Sequence, residues 1–144
     1  MEKKDLKINI SSRSDDLFNC SRCGNCLAVC PIDRQTLDES VTPRGKLSLL
    51  EAVDRGIIEY TDKVSKKVYT CTLCNYCANE CPSGVALKEI FKAARLDMVD
   101  SHKYPEVLDM LKERIGQGHN VTFDTNEGRA DWVKQLPGVE PEED

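Results

Sequence analysis

The sequence predicts an all-α fold, and three observations carry that prediction. Its eight cysteines fall into two equal runs, and the 40 residues between the runs have helical rather than strand-like periodicity. After the second run, apolar residues recur at steps of three and four, the spacing of one face of an α-helix. We therefore expect one helical domain over residues 15–118, preceded by an arm over 1–14 and followed by an irregular segment over 119–144.

The cysteines form two copies of one motif. The first copy comprises Cys20, Cys23, Cys26 and Cys30, followed by Pro31; the second comprises Cys71, Cys74, Cys77 and Cys81, followed by Pro82. Both copies read C-x2-C-x2-C-x3-C-P, and every equivalent position is 51 residues apart. No cysteine lies outside the two copies, so the motif accounts for all of them.

This spacing is the ligand pattern of bacterial 4Fe–4S proteins, in which the fourth cysteine of each run ligates the other cluster. Three thiolates at every third residue can wrap one face of a cubic cluster, and the fourth corner comes from elsewhere in the fold. Proline pushes the residue before it toward an extended conformation, so each fourth cysteine leaves its loop in a defined direction. The pattern predicts two 4Fe–4S clusters, the first on Cys20, Cys23, Cys26 and Cys81 and the second on Cys71, Cys74, Cys77 and Cys30.

A zinc site and a set of disulfides are the alternatives to clusters. Zinc sites pair two C-x2-C units across a longer spacer, and three cysteines in succession suit a tetrahedron poorly. Disulfides need an oxidising compartment. The charged stretch Met1–Asp5, with no apolar stretch behind it, gives no indication of a secretory signal. The sequence therefore favours clusters in a cytoplasmic protein.

Two positions in each cysteine loop carry further predictions. Gly24 and Asn75 follow the second cysteine of their runs, and Gly and Asn are the residues that most readily adopt positive φ. We expect a left-handed backbone at both. Arg22 lies in the first loop where the second has Leu73, so it either offsets charge near the first cluster, raising its potential, or is an ordinary solvated charge.

The insert between the runs contains two predicted helices. Thr42 is a suitable N-cap with Pro43 in the first helical position, and Gly56 follows the last turn as a stop. The second helix begins at Thr61 and leads directly into Cys71. The residues expected to face inward are Leu47, Leu50 and Val53 in the first helix and Val64 and Val68 in the second.

Two further helices are predicted after the second run. The first is capped by Ser83 and has an inward face of Val85, Leu87, Ile90, Phe91, Ala94 and Met98. The second runs from Pro105 to Ile115, ends at Gly116 and Gly118, and has Val107, Leu108, Leu111 and Ile115 inward. Near the N-terminus, the alternation of Ile8 and Ile10 in a polar setting predicts either an edge strand or an arm, and residues 140–144 form an acidic tail.

Several functional classes are not expected. The net charge of −5 disfavours a nucleic-acid partner, and no stretch approaches the roughly 20 apolar residues of a membrane helix, which leaves peripheral attachment through partners. No nucleophile, phosphate or dinucleotide motif is recognisable. His102 and His119 lie far from the cysteine runs and are expected at the surface or as caps. The chain is expected to pass electrons without a catalytic site of its own.

The cysteine runs, the helical insert and the stretch Thr42–Leu47 together resemble the C-subunit family of heterodisulfide reductases. The same domain occurs in iron–sulfur subunits of anaerobic glycerol-3-phosphate, lactate and glycolate dehydrogenases, and is similar to the helical cluster domain of succinate dehydrogenase and fumarate reductase. The resemblance implies an alpha-helical ferredoxin that passes electrons from a flavin-containing subunit to a cysteine-rich, disulfide-reducing catalytic subunit. The alternatives are an iron–sulfur subunit of an anaerobic hydroxy-acid or glycerol-3-phosphate dehydrogenase and a cluster-based redox or iron sensor.

The C-terminal segment also resembles this family. Asn120, Phe123, Arg129 and Trp132 match a degenerate form of the element that precedes the cysteine-rich catalytic domain in longer relatives. The resemblance implies that residues 119–139 dock a separate catalytic subunit. The competing interpretation is that Trp132 packs the tail onto the helices.

Overall fold

The computed structural model describes residues 9–122 and 125–138. In those residues all regular structure is helical and no strand occurs, which confirms the all-α prediction. Contacts group the chain into two compact units that meet in sequence at Pro105 and Glu106. The expected division into an arm, a domain ending at 118 and a C-terminal segment stays a prediction.

The described residues of the first unit form seven α-helices and two 3₁₀ helices. The α-helices are α1 (Ser14–Phe18), α2 (Asn25–Ala28), α3 (Pro31–Thr36), α4 (Pro43–Asp54), α5 (Asp62–Tyr69), α6 (Tyr76–Asn79) and α7 (Leu87–Asp100). The 3₁₀ helices are Asn9–Arg13 and Glu39–Val41. In the second unit the described elements are α8 (Val107–Gly118) and the 3₁₀ helix Asp131–Gln135.

Helices α4 and α5 begin where their capping residues predict. The Thr42 hydroxyl accepts a hydrogen bond from the amide of Gly45 at 3.2 Å, and the Thr61 hydroxyl accepts one from the amide of Val64 at 3.3 Å. Each bond satisfies one of the free amides of a first helical turn. Gly56 follows α4 with a φ of +68°, the left-handed conformation that ends a helix. Both helices of the insert are confirmed.

The core of the first unit is built from the residues that helical periodicity places inward. Burial of each large apolar side chain contributes about 1.5–3 kcal/mol, and this core joins α4, α5 and α7. Ile10 and Leu17 complete it from the N-terminal side. The predicted members that are buried are Leu47, Leu50, Val53, Val64, Val68, Val85, Leu87, Ile90, Phe91, Ala94 and Met98. In sequence the first cysteine loop lies between α1 and α4 and the second lies between α5 and α7, so helices of this core flank both loops.

Helix α7 begins later than predicted. Ser83 is not its cap: the helix starts at Leu87 and has no side-chain cap. The intervening residues complete a turn around Cys81 instead, because the amide of Gly84 donates to the Cys81 carbonyl at 3.1 Å and that of Val85 donates to the Cys81 sulfur at 3.4 Å. These residues belong to the turn around Cys81, so α7 begins only after them.

The N-terminal segment is helical, whereas an edge strand was one of its two predicted forms. Residues 9–13 form a 3₁₀ helix, so the strand interpretation is wrong for them, and Ile8 lies outside the described residues. The carboxylate of Asp97, on α7, accepts hydrogen bonds from the backbone amides of Asn9 and Ile10 and from the Asn9 side chain at 2.8 Å. Asp97 thus binds the free amides of this helix to the core.

Replacement of Asp97 by alanine is expected to lower the free energy of unfolding by about 3 kcal/mol, because unsatisfied buried donors cost about 1–3 kcal/mol each. The Tyr60 hydroxyl, which donates to the same carboxylate at 3.1 Å, loses its acceptor as well. Urea denaturation of the full chain under anaerobic conditions measures the change. Asp100→Ala, at an exposed position of the same helix, is the control. Equal urea midpoints for the Asp97 and Asp100 variants would contradict the proposed role of Asp97 as the acceptor for these donors.

Helix α8 differs from its prediction in where it begins and ends and in how deeply its apolar side chains are buried. It begins at Val107 and continues through Gly116, and His119 ends it with a φ of +54°. The expected inward face is not buried, since Val107 and Ile115 are 51% and 50% exposed. No residue of α8 is buried.

The remaining surface predictions have mixed outcomes. His102 and His119 are exposed, and both have positive φ just after a helix, which confirms the surface or capping role. Trp132 is 62% exposed, and both interpretations of the C-terminal segment stay predictions. Phe123 and residues 140–144 lie outside the described residues. None of the described helices is long and apolar enough to cross a membrane.

Candidate metal centres

Two hollows in the first unit are lined by cysteine thiols. The first hollow has Cys20, Cys23, Cys26 and Cys81 in its wall, and the second has Cys71, Cys74, Cys77 and Cys30. The empty space in and directly in front of them is about 360 and 400 Å³, open solvent included. Each hollow thus takes three thiols from one run and the fourth from the other.

Left-handed residues turn each loop around its hollow. Gly24 and Asn75 have φ values of +90° and +70°, as predicted. Arg22 and Leu73, two residues earlier, also have positive φ, at +56° and +57°. A left-handed conformation costs an ordinary residue about 1–2 kcal/mol, and neither Arg nor Leu signals it in sequence. Their equivalent places in the two copies indicate that the loop geometry requires this conformation.

The fourth cysteines reach the opposite hollow because the two loops lie side by side. Cys26 is on α2 and Cys77 on α6, and these two short helices contact each other. Cys30 is extended, with φ −80° and ψ 116°, and Pro31 then opens α3. The proline therefore marks the point where the chain turns from one hollow to the other.

The electrostatics of the thiols fit a metal-bound state. Burial and the neighbouring Cys71 raise the pKa of Cys77 to about 12, and burial together with Cys20 raises that of Cys26. The exposed Cys23 differs, because the amide of Asn25 lowers its pKa. Crowded thiolates repel one another in a partly dehydrated space, and a cationic iron–sulfur core offsets that repulsion. The donor set of each hollow suits an iron–sulfur cluster.

Backbone amides also point at the sulfurs. The amide of Leu73 donates to Cys71 Sγ at 3.4 Å in the second hollow, and that of Val85 donates to Cys81 Sγ at the same distance in the first. Such bonds stabilise negative charge on the sulfur and are one determinant of cluster potential. Each hollow has at least one of them.

The cations beside the first hollow are paired with carboxylates. Arg22 Nη2 lies 2.7 Å from Glu51 Oε2, and Arg44 Nη2 lies 2.6 Å from Glu39 Oε1. The Arg22 side chain is 62% exposed. Arg22 is thus paired with Glu51 and largely solvated. This agrees with the interpretation of Arg22 as an ordinary surface charge.

Three cations near the second hollow were not identified from the sequence. Lys46 and Lys88 line that hollow, and Lys46 is only 1% exposed. Arg95 donates to the carbonyls of Val68 and Cys71, where α5 leads into the second loop. Lys46 lies four residues before Leu50, so the register of α4 already placed it on the inward face.

The comparisons with known proteins agree with this chemistry. Residues 16–85 match the family model of the 4Fe-4S dicluster domain. A probable glycolate oxidase iron–sulfur subunit of Bacillus subtilis is 35% identical over 105 residues, which are 71% of this chain and 23% of that protein. The D subunit of the dihydromethanophenazine:CoB–CoM heterodisulfide reductase of Methanosarcina mazei is 26% identical over 148 residues, covering 90% of this chain and 36% of that protein.

A further relative is the iron–sulfur C subunit of the CoB–CoM heterodisulfide reductase of Methanopyrus kandleri. It is 34% identical over 76 residues, which are 53% of this chain and 36% of that protein. The expected resemblance to heterodisulfide reductase subunits and to a glycolate-type iron–sulfur subunit is confirmed. The chain spans between 23% and 36% of the length of these relatives.

Proposed function

We propose that the chain is an electron-transfer subunit that carries two 4Fe–4S clusters, one in each hollow, and the match of residues 16–85 to the 4Fe-4S dicluster domain supports this proposal. The observation that carries this proposal is the crossed set of four thiols around each hollow. The ligands are Cys20, Cys23, Cys26 and Cys81 for the first cluster and Cys71, Cys74, Cys77 and Cys30 for the second. Clusters of this kind carry single electrons, and the protein sets their potentials.

The exposure of one ligand in each hollow supports electron transfer through the chain from one cluster to the other. Cys23 in the first hollow and Cys74 in the second are exposed, whereas Cys30 and Cys77 are buried. Each cluster therefore has one thiolate at the protein surface, and the two buried ligands both belong to the second cluster. An electron enters near one exposed thiolate and leaves near the other.

The partners we propose are those of a heterodisulfide reductase-type complex. In it, the chain passes electrons between a flavin-containing subunit and a cysteine-rich, disulfide-reducing subunit. Two of the relatives described above are named as heterodisulfide reductase subunits, which supports this assembly. The exposed Trp132 suits a docking role for residues 119–139. The 35% identity to a probable glycolate oxidase subunit favours a second candidate, in which the chain is the electron-transfer subunit of a hydroxy-acid dehydrogenase.

Anaerobic purification with metal analysis tests the cluster proposal. We expect about eight iron and eight sulfide per chain, because two 4Fe–4S clusters require them. Stoichiometric zinc without iron would refute it. Proteins that co-purify distinguish the two assemblies: a flavoprotein with a cysteine-rich subunit supports the disulfide reductase, and a hydroxy-acid dehydrogenase flavoprotein supports the second candidate.

A further inference from the structure

Lys46 is the most deeply buried cation in the described part of the chain. Its position on α4 brings it to the wall of the second hollow, together with Cys30 and Cys71. Its ammonium lies 5.9 Å from the centroid of the Phe91 ring, which lines the same hollow. The charge of Lys46 is therefore held beside the proposed cluster and away from bulk water.

Protein carboxylates do not neutralise this charge. Within residues 9–122 and 125–138, no carboxylate lies within ion-pair distance of Lys46. Burial lowers the pKa of Lys46, whereas the thiolate charges of Cys71 and Cys30 raise it. A buried ammonium without a counter-charge is costly. The negative charge that balances Lys46 must come from the hollow itself.

Arg95 adds positive charge on the same side of the core. Its guanidinium donates to the Tyr69 carbonyl at 3.5 Å and lies 4.7 Å from the Tyr69 ring. None of the ion pairs among the described residues includes it. At the first hollow, by contrast, Arg22 and Arg44 are each paired with a glutamate. The two hollows therefore differ in uncompensated positive charge.

We propose that Lys46 is the fixed counter-charge of the second cluster and raises its reduction potential above that of the first. This inference rests on the proposed function, since it requires a cluster in the second hollow. One-electron reduction makes or breaks no bond and takes the net charge of a thiolate-bound cluster from about −2 to about −3. A buried cation stabilises the more negative state more strongly. An electron that reaches the chain therefore resides preferentially on the second cluster.

Lys46→Met, which keeps the length of the side chain and removes its charge, tests the proposal. A potentiometric titration of the cluster-loaded full chain, followed by EPR, gives two midpoint potentials. In the variant we expect the ratio of reduced to oxidised second cluster at a fixed potential to fall about tenfold, which is about 59 mV for one electron. The midpoint potential of the first cluster is expected to stay unchanged. Lys46→Arg keeps the charge and is expected to restore the original value.

Lys66→Met is the matched control, because it removes the same charge from an exposed position on α5, where water screens it. Lys46→Gln is titrated in parallel as a second neutral variant and should show the same fall. In a Cys81→Ser background, which should retain the second cluster alone, the remaining midpoint must be the one that moves. Loaded neutral variants with two unmoved midpoints would overturn the role of Lys46, whereas a wild-type chain without iron would overturn the proposed function.

Discussion

Serine in place of Cys30 is expected to remove the second cluster and to leave the first intact. Cys30 belongs to the first run in sequence, yet it lines the hollow of Cys71, Cys74 and Cys77. A serine hydroxyl is a harder and far less acidic ligand than a thiol, and iron–sulfur clusters select soft thiolates. The iron content should fall from about eight to about four per chain, because one of two 4Fe–4S clusters is lost.

Three further serine variants show which cluster has been lost. Cys74→Ser and Cys23→Ser each remove the exposed ligand of one hollow. With crossed ligands, the EPR spectrum of Cys30→Ser should match that of Cys74→Ser, and the spectrum of Cys81→Ser should match that of Cys23→Ser. A match between Cys30→Ser and Cys23→Ser would instead mean that each run binds its own cluster, and the crossed assignment would be abandoned.

Crossed ligands also couple cluster binding to folding. Each hollow needs a thiol from both runs, and the residues between the runs include α4 and α5 of the core. A chain without clusters holds eight thiols near one another, and crowding with burial raises the pKa of Cys77 and Cys26. Iron bound to thiolates offsets this cost in the folded state alone, so it stabilises the fold.

The parts of the fold that the sequence predicted are those with a local cause. Thr42 and Thr61 cap their helices through hydrogen bonds that span three residues, and the periodicity of α4, α5 and α7 identified their buried faces. The N-terminal 3₁₀ helix has a distant cause, because its amides are bound by Asp97 at a separation of 88 residues for Asn9. No local pattern contains that contact.

Helix α8 and Lys46 show two other features that the sequence alone does not predict. An apolar stripe shows that a helix has a face to cover, but not what covers it, and Val107 and Ile115 of α8 remain half exposed. Lys46 is on the inward face by helical register, yet its charge favours an outward position unless a counter-charge is present. Only the second hollow, assembled from both runs, explains its burial.

Alanine in place of Gly45 is expected to be the most destabilising single change outside the cysteines. A Cβ at this position of α4 would overlap the carbonyl oxygen of Glu39 and lie 2.8 Å from its carbonyl carbon and 2.9 Å from Ser40 Cα. These are backbone atoms of the 3₁₀ helix Glu39–Val41, so no side-chain rotation relieves the overlap. The 3₁₀ helix must move away from α4 as a unit.

That movement breaks the start of α4. The Thr42 hydroxyl, which caps the helix, also donates to the Glu39 carbonyl at 2.7 Å, and the Thr42 amide donates to the same oxygen at 3.0 Å. Pro43 and Lys46, in the first turn of α4, line the second hollow. We therefore expect a loss of about 4 kcal/mol or more in the free energy of unfolding, the range of severe core disruption, together with lower occupancy of the second cluster.

Urea denaturation and iron analysis of Gly45→Ala measure both effects. Gly116→Ala is the matched control, since Gly116 also lies inside a helix, without positive φ, and a Cβ there meets no atom within 4 Å. The control should be more stable than wild type by up to about 1 kcal/mol, because alanine is the better helix former. If Gly45→Ala behaved like this control, the contact of α4 with Glu39 would be adjustable. The glycine of the Pro-Arg-Gly stretch would then lack the steric role that its close approach to the 3₁₀ helix indicates.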